Sequence, residues 1–364
     1  MVVTIRDVAK AAGVSASTVS RALSMPDVVE AATLERVTKV AEHLGYRPNR
    51  AARGLITGRT GNFGLILPDL ANPFFPSVVK GIQQAAHRAD YQVFVVDTDE
   101  DATAELGLVR NLAKQVDGIV LCSPRMKPAE LRQAASLVPV VLVNRREGSI
   151  PAVAVDNAGG MRQIVRHLAD LGHRRIGYVA GPRSSWSNRG RLKALQAECR
   201  GAGLELVALG NFDPTFDGGT AAAEGVLISG VTAVIGYNDL VALGVIGGLR
   251  ERGVAVPAQI SVVGIDNIAM SSMVDPALTT LDLPKDVAGR AAVELLVQLL
   301  AAEAPPNKPI RELPTELVVR KSTAPRPRRT QPREHRRRRS DRDEPGPELR
   351  HAETDHRQRP DRLG

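Results

Sequence analysis

The sequence predicts a small all-α head followed by an α/β core of two doubly wound parallel-sheet lobes. In residues 4–44, apolar side chains recur at helical spacing. From Asn62 to Thr323, short β-branched runs alternate with amphipathic stretches, the pattern of parallel sheets covered by helices on both faces. Such runs are too many for one small sheet, which favours two similar lobes. The runs are FGLIL, YQVFVV, DGIVLC, VPVVLV, AVAV, RRIGYVA, LELVAL, VTAVIG and ISVVGI.

The composition excludes several classes of protein. Hydrophobic residues make up 43% and charged residues 24%, so the chain can bury a core. No run of about 18 apolar residues predicts a membrane span. The first residues, MVVTIRDVAKAAG, carry charges where a signal peptide needs an apolar stretch, so we expect a cytoplasmic protein with no membrane partner. Cys122 and Cys199 lie far apart without a CxxC motif, so we expect neither a disulfide framework nor a metal site.

The positive charge of the chain is concentrated at its two ends. The net charge is +8. Residues 1–60 contribute +4, residues 61–325 contribute −1 and residues 326–364 contribute +5. A nearly neutral centre between basic ends indicates a polyanionic partner that the ends contact.

The head is expected to contain three short helices. Thr4 and Asp7 stand at capping-box spacing at the start of the first helix, and Gly13 ends it. Ser15 caps the second helix, and a third runs over 31–44. A helix, a turn with glycine and a second helix form a helix-turn-helix motif. Any small three-helix bundle is the alternative that these helices alone leave open.

The sequence predicts four segments with different properties. Residues 1–46 form the head, and residues 47–60 form a linker with four arginines and no acids, in which Asn49 caps one or two turns of helix. So short a helix is expected to order only with a partner. Residues 61–323 form the core. Residues 324–364 form an Arg/Pro-rich tail that is expected to be disordered, because no Val, Ile, Phe, Tyr, Trp, Met or Cys follows Val319.

Three motifs in order resemble the lactose/galactose-repressor (LacI/GalR) family. They are TIRDVAKAAGVSASTVSRAL, LGYRPNRAARGL and LILPDLANPFF, and the resemblance covers residues 3–323. It implies that the second helix lies in the major groove of an operator, with Ala16, Ser17 and Arg21 at base-reading positions. It also implies phosphate contacts or capping by other head residues, which position the head without specifying sequence. These are Thr4, Ser15, Thr18 and Ser20.

The same resemblance gives the linker a role at the centre of the operator. Leu55 corresponds to the hinge leucine of the family, which wedges open a base step in the minor groove, and Asn49 and Arg53 accompany it as DNA-binding residues. Two such helices require a homodimer, so a near-palindromic operator is expected. The sequence does not decide between a dimer and a tetramer. The alternative for Leu55 is that it is an ordinary apolar residue of the linker.

The core also resembles periplasmic sugar-binding proteins, which implies two lobes joined by three crossovers and a ligand in the cleft between them. Ligands of open α/β sheets lie beyond the carboxyl ends of the strands. An arginine and an aspartate in one cleft suit polyols. One departure from the family is Leu283, at a position where many members have glutamine. The candidate effector-binding residues at the strand ends are Asn72, Phe74, Phe75, Asp99, Arg189, Arg191, Phe212, Asn238 and Asp266.

Purely structural roles are the alternatives for several of these residues. Phe74 and Phe75 fit a hydrophobic core. Asn238 and Asp239 fit helix caps, and Asp266 fits a carboxylate that caps a loop.

The favoured function is a repressor of sugar uptake or catabolism genes that a small sugar-like effector switches. Inducer or co-repressor stays open. An exported sugar-binding protein and an enzyme are the competing hypotheses. The sequence has no GxGxxG that opens a helix, no GxxxxGK[ST], no HExxH and no GxSxG, so we expect no catalytic residues and no cofactor. The arginines of the tail are expected to be a solvated extension, with non-specific DNA affinity as the alternative.

Overall fold

A computed structural model describes residues 3–24, 26–46, 58–301 and 310–326. The predicted hinge helix, with Asn49, Arg53 and Leu55, lies outside these ranges, as does the tail beyond Arg326. No helix within the ranges is long and apolar enough to cross a membrane.

The head contains the three predicted helices, α1 (Ile5–Ala12), α2 (Ala16–Ser24) and α3 (Ala31–His43). Their apolar faces meet at Val8, Val19 and Val37, each with 0% of its surface exposed. Gly13 ends α1 with a left-handed φ of 67°, which glycine adopts without a steric cost. The helix-turn-helix geometry thus follows from helical spacing and one glycine.

The N-terminal lobe is a six-stranded parallel sheet in the order β11-β5-β4-β3-β1-β2. Its strands are β1 (Asn62–Leu67), β2 (Gln92–Asp97), β3 (Gly118–Cys122), β4 (Val140–Val143), β5 (Ala152–Val155) and β11 (Ile310–Leu313). Its helices are α4 (Phe74–Arg88), α5 (Glu105–Leu112), α6 (Pro128–Leu137) and α12 (Lys285–Ala301). β3 and β4 are buried along their whole length, as expected for central strands with helices on both faces.

The C-terminal lobe repeats this arrangement in the order β12-β10-β9-β8-β6-β7, with only β12 antiparallel to its neighbour. Its strands are β6 (Arg175–Ala180), β7 (Glu205–Asn211), β8 (Ala233–Gly236), β9 (Ser261–Asp266), β10 (Thr279–Asp282) and β12 (Glu316–Val318). Its helices are α7 (Asn157–Asp170), α8 (Trp186–Gly201), α9 (Phe216–Ile228), α10 (Asp239–Glu251) and α11 (Met270–Met273). The predicted fold class, an all-α head and two doubly wound lobes, is confirmed.

The chain crosses between the lobes three times, from β5 to α7, from β10 to α12 and from β11 to β12. These three crossovers connect the lobes, and one lobe can rotate about them relative to the other. Because they lie beside the carboxyl ends of β5, β10 and β11, the cleft opens next to them.

All nine predicted apolar runs are strands, β1 to β9, but β10, β11 and β12 were not predicted. These three have four, four and three residues and carry polar side chains among the apolar ones, so their sequences lack a clear strand pattern. The described core also continues past the predicted boundary at residue 323. The backbone N–H of Ala324 donates to Ser261 Oγ at 3.1 Å, and that of Arg326 donates to the Leu171 carbonyl at 2.8 Å.

Candidate functional site

The DNA-facing candidates of the head lie along the start of α2. Ser15 Oγ accepts a hydrogen bond from the Thr18 backbone N–H at 3.1 Å, which makes Ser15 the predicted cap. The Ser15 hydroxyl also lies 2.7 Å from Ser17 Oγ and 2.8 Å from Thr18 Oγ1. This row of hydroxyls is fixed in place on the surface, and its free lone pairs and protons suit phosphate or base-edge contacts.

Arg21 lies one turn further along α2 on the same exposed face. Its Nε donates to the Ser17 carbonyl at 3.4 Å, so the guanidinium lies over the start of the helix. Thr4 lies at the start of α1, where its backbone N–H and its hydroxyl both donate to Asp7. The structure leaves Thr4, Ser15, Ser17 and Arg21 exposed and Ala16, Thr18 and Ser20 half-buried.

The inter-lobe cleft gathers side chains from both sheets around a cavity of about 30 Å³, room for one or two water molecules. Ser187 Oγ, on the C-terminal lobe, donates across the cleft to the Asn144 carbonyl at 3.3 Å. Six predicted effector-binding residues line the cavity, namely Asn72, Phe74, Phe75, Arg191, Asn238 and Asp266.

Arg191 is held by protein contacts that leave part of its guanidinium open. Its Nε donates to Asn157 Oδ1 at 3.1 Å, and its Nη1 donates to the Tyr237 carbonyl at 2.7 Å. The guanidinium also lies over the Tyr237 ring, 5.3 Å from its centroid. Nη2 faces Asp266 Oδ1 at 4.0 Å, too far for a hydrogen bond, so it has donor capacity for a ligand.

Asp266 ends β9 with its carboxyl group in the cleft. Its φ of 121° is a value that residues other than glycine rarely adopt, and such strain concentrates at functional sites. Burial raises the pKa of Asp266 to about 8, and Asp239 adds to the rise, while the charges of Arg191 and Lys285 oppose it. Among the described residues, no protein group donates a hydrogen bond to this carboxyl, which is therefore free for a hydroxyl.

Phe74 and Phe75 contribute both to the core and to the cleft. Each is 5% exposed within the main hydrophobic cluster, and their rings meet edge to face with centroids 5.2 Å apart. Both also line the cavity. The neighbouring Asn72 uses its Oδ1 to accept from the Phe74 N–H at 3.0 Å, which starts the turn into α4. The core interpretation is confirmed, and contact with a ligand stays a prediction.

Asn238 and Asp239 do serve as structural polar groups. Asn238 caps α10 by accepting from the Val241 N–H at 2.8 Å, while its Nδ2 donates to the Pro214 carbonyl at 2.9 Å. Asp239 is fully buried and accepts from the Ile268 N–H and the hydroxyls of Ser271 and Thr280. Asn238 lines the cavity, yet most of its hydrogen-bonding capacity is used within the protein.

Three predicted effector-binding residues lie outside the cavity lining. Asp99 follows the edge strand β2 and is exposed, with its N–H donating to Asp97 Oδ1 at 2.9 Å. Phe212 follows the other edge strand, β7, and faces a surface depression of the C-terminal lobe. Arg189 lies two residues before Arg191 on α8, so it points to another face, and its Nη1 donates to the Arg183 carbonyl at 2.8 Å.

Sequence reasoning missed most of the N-terminal wall of the cleft. Ser123 and Arg125 follow β3, Asn144 follows β4, and Glu100 follows Asp99 in the loop after β2. The strand-end rule was applied to other strands but not to β3 and β4, where it would have found three of these residues. Tyr237, Ser187 and Pro214 were also missed on the opposite wall.

Arg125 and Glu100 form a two-pronged ion pair in that wall. Arg125 Nε and Nη2 each donate to a different Glu100 oxygen at 2.7 Å, and Nη1 donates to the Ser123 carbonyl at 2.9 Å. Burial alone would lower the pKa of Arg125, but Tyr237, Glu100 and Glu105 outweigh burial and raise it. Leu283, at the family's glutamine position, is 1% exposed in the core, so it offers the cleft no polar contact.

A helix-turn-helix head joined to a two-lobed core with a polar cleft defines the class of ligand-binding transcriptional regulators. The family model described as bacterial regulatory proteins, lacI family, matches residues 4–49, and one described as a periplasmic binding protein-like domain matches residues 165–323.

Catabolite control protein A of Priestia megaterium is 35% identical over 334 residues, which are 89% of this chain and 100% of that protein. The crystal structure of the lac repressor dimer bound to operator and the anti-inducer ONPF has a TM-score of 0.80 and 31% identity, covering 89% of this chain and 100% of that one. A complex of the transcriptional regulator CelR with cellobiose has a TM-score of 0.66 and 31% identity; the match covers 88% of this chain and 99% of the CelR chain. The chain belongs to the lacI family and is a DNA-binding transcriptional regulator.

Proposed function

We propose that the protein is a repressor that binds a near-palindromic operator as a homodimer and is switched by a small sugar-like effector in the inter-lobe cleft. The observation that carries this proposal is the pairing of Arg191 and Asp266. Both are at most 5% exposed and face each other across 4.0 Å with hydrogen-bonding capacity to spare. A donor and an acceptor at that spacing suit two neighbouring hydroxyls of a polyol.

The DNA-binding part of the proposal rests on α2 and its cap. Of the base-reading residues, Arg21 has a guanidinium with two parallel N–H donors. One good bidentate contact of this kind to guanine contributes about 1–3 kcal/mol of discrimination against other bases. Ala16 and Ser17 offer a methyl and a hydroxyl, and the hydroxyls around Ser15 position the head on phosphates. Asn49, Arg53 and Leu55 remain proposed contacts of the linker at the operator centre.

Relatives support the partners in this proposal. The lac repressor structure is a dimer on operator, and the CelR structure holds cellobiose. A dimer with two-fold symmetry places two heads on two half-sites, which is why the operator should be an inverted repeat.

The switch acts through the angle between the lobes. Closure of the cleft around a sugar changes the angle between the lobes at the three crossovers. An effector shifts the equilibrium only by its difference in affinity for the two forms. Since β1 continues the linker into the N-terminal lobe, this shift changes how the two linkers of a dimer approach the operator.

We propose no catalytic role, because the polar groups of the cleft are arranged to hold hydroxyls and relatives such as catabolite control protein A are regulators. Because the proposed partner is chromosomal DNA, we place the protein in the cytoplasm.

The experiment is a selection of random duplex DNA with the purified full chain, followed by affinity measurements at several salt concentrations. We expect an inverted repeat to be enriched and its binding to weaken steeply with salt, since phosphate contacts release counterions. Enrichment of no inverted repeat would refute the operator proposal, and a flat salt response would refute the phosphate contacts.

A further inference from the structure

The described residues that line the cleft include two cations and two carboxyl groups, arranged as two unequal pairs. Arg125 and Glu100 are locked together by two hydrogen bonds of 2.7 Å, whereas Arg191 and Asp266 stay 4.0 Å apart. A two-pronged contact of this kind is among the strongest ion pairs in proteins, because the planar guanidinium matches both carboxylate oxygens. The charge of Arg125 is therefore balanced before any ligand arrives.

We propose that Glu100 is a specificity-determining residue that neutralises Arg125, so that the cleft accepts uncharged sugars and rejects sugar acids and sugar phosphates. This inference deepens the proposed function and rests on it. Without Glu100, Arg125 would offer a buried fork of donors, the group that proteins use to bind carboxylates and phosphates.

Burial makes the discrimination strong. The Arg125 side chain is 3% exposed and that of Glu100 is 24% exposed, so water screens their charges weakly. An anionic ligand beside Arg125 would lie next to the Glu100 carboxylate and would have to displace it. A displaced carboxylate without a partner, in a partly buried site, costs more than an exposed one.

The opposite wall holds its cation differently. Among the described residues that line the cavity, the only other cation is Arg191, and its open Nη2 faces the Asp266 carboxyl. Two of the remaining Arg191 donor positions are occupied by Asn157 and the Tyr237 carbonyl. Nη2 of Arg191 therefore stays open, whereas the Arg125 guanidinium is closed by Glu100, so we assign the discrimination against anions to the N-terminal wall.

Asp99 provides a matched control for Glu100. It is the adjacent acidic residue in the same loop, and both have left-handed φ values, 50° for Asp99 and 58° for Glu100. Only Glu100 lines the cavity, whereas Asp99 is exposed. Asp99→Asn and Glu100→Gln remove the same charge from the same loop, and only the second removes it from the cleft.

The test measures binding to the full chain by calorimetry, with competition for weak ligands. The neutral probes are ribose, glucose, galactose and cellobiose. Each that binds is compared with its anionic match, namely ribose 5-phosphate, glucuronate, galacturonate or the aldobiouronate of the same linkage. We expect the wild type to prefer the neutral member, and Glu100→Gln to shift the anionic-to-neutral affinity ratio by about tenfold or more toward the anion. Asp99→Asn should leave that ratio unchanged.

The double variant Glu100→Gln/Arg125→Met separates this role from a merely structural one. Because it removes the cation as well, it should return the affinity ratio toward the wild-type value. The ratio is taken within each variant, so a general loss of folded protein does not move it. Equal affinity of the wild type for both members of a pair, or an unchanged ratio in Glu100→Gln, would overturn the role of Glu100 while leaving the sugar cleft intact. Binding of no probe in either charge state would overturn the sugar-binding proposal, and this inference with it.

Discussion

The two walls of the cleft carry the same kinds of charged group and use them differently. On the N-terminal wall, Arg125 donates two hydrogen bonds of 2.7 Å to the Glu100 carboxylate. On the C-terminal wall, Arg191 and Asp266 stay 4.0 Å apart and keep open hydrogen-bonding positions. The N-terminal wall adds the paired rings of Phe74 and Phe75, which offer a surface for stacking.

This difference indicates a division of labour between the lobes. The C-terminal wall should bind hydroxyl groups by direct hydrogen bonds, because its donors and acceptors still have unused hydrogen-bonding positions. The N-terminal wall should select by shape and by charge, because its ion pair is already closed. Loss of an open group should therefore cost more sugar affinity than loss of a stacking surface.

The largest effect is expected for Arg191→Lys. The lysine keeps the charge but loses the planar guanidinium, which also holds Asn157 and the Tyr237 carbonyl, so sugar affinity should fall by about 1.5–3 kcal/mol, roughly 10- to 150-fold. Arg189→Lys is the matched control, since Arg189 is exposed and bonds only the loop before it. Calorimetric titration with the sugar that binds best checks this, and equal losses for both variants would remove the distinction between these arginines.

The second expected effect is a pH dependence of the free energy of unfolding that arises from Asp266. Burial raises the pKa of Asp266 from its ordinary value of 3.8 to about 8, so between these values the folded protein holds a proton that the unfolded chain has released. Its contribution to the free energy of unfolding should therefore decline as pH rises from about 4 to about 8 and then level off.

Asp266→Asn should remove this contribution. Denaturant unfolding of ligand-free wild type and variant at pH 5, 7 and 9 measures it as a difference between the two proteins. That difference cancels the groups that titrate independently of Asp266, whereas Asp239, whose pKa burial also raises, interacts with Asp266 and remains part of the measured effect. The account expects the variant to gain stability relative to the wild type as pH rises; a constant difference across the three values would argue against a buried, uncharged Asp266.

The smallest effect is expected for Phe74→Leu on the N-terminal wall. The change removes an aromatic face and the edge-to-face contact with Phe75, so sugar affinity should fall by about 0.5–1.5 kcal/mol. Because Phe74 is 5% exposed in the core, stability should fall as well, by about 1 kcal/mol. Measuring sugar affinity together with the unfolding midpoint separates the two contributions. A loss of affinity as large as that of Arg191→Lys would contradict the division between the walls.

Much of the fold followed from the sequence because its signals are local. Nine apolar runs predicted β1 to β9, and Gly13 and Ser15 predicted the turn of the head. The short strands β10 to β12 did not follow, because sheet pairing over long sequence separation, not their own pattern, makes them strands. The antiparallel pairing of Thr280 with Val318 is one example.

The site was predicted less completely because it depends on strand order. The rule that ligands lie at strand carboxyl ends found Arg191 and Asp266, which follow or end central strands. It misplaced Asp99 and Phe212, which follow the edge strands β2 and β7. Of two adjacent acids, the cleft takes Glu100 and not Asp99; both have positive φ values, a loop geometry that the sequence does not reveal.

The most direct test of the central claim is the affinity of the full chain for its selected inverted-repeat duplex, measured with and without the sugar that binds best. We expect saturating sugar to change this affinity by about tenfold or more, a typical coupling between two sites. Arg191→Lys should move the response to higher sugar concentration while leaving the sugar-free DNA affinity unchanged. An operator affinity that stays the same at every sugar concentration, although the sugar occupies the cleft, would contradict this claim.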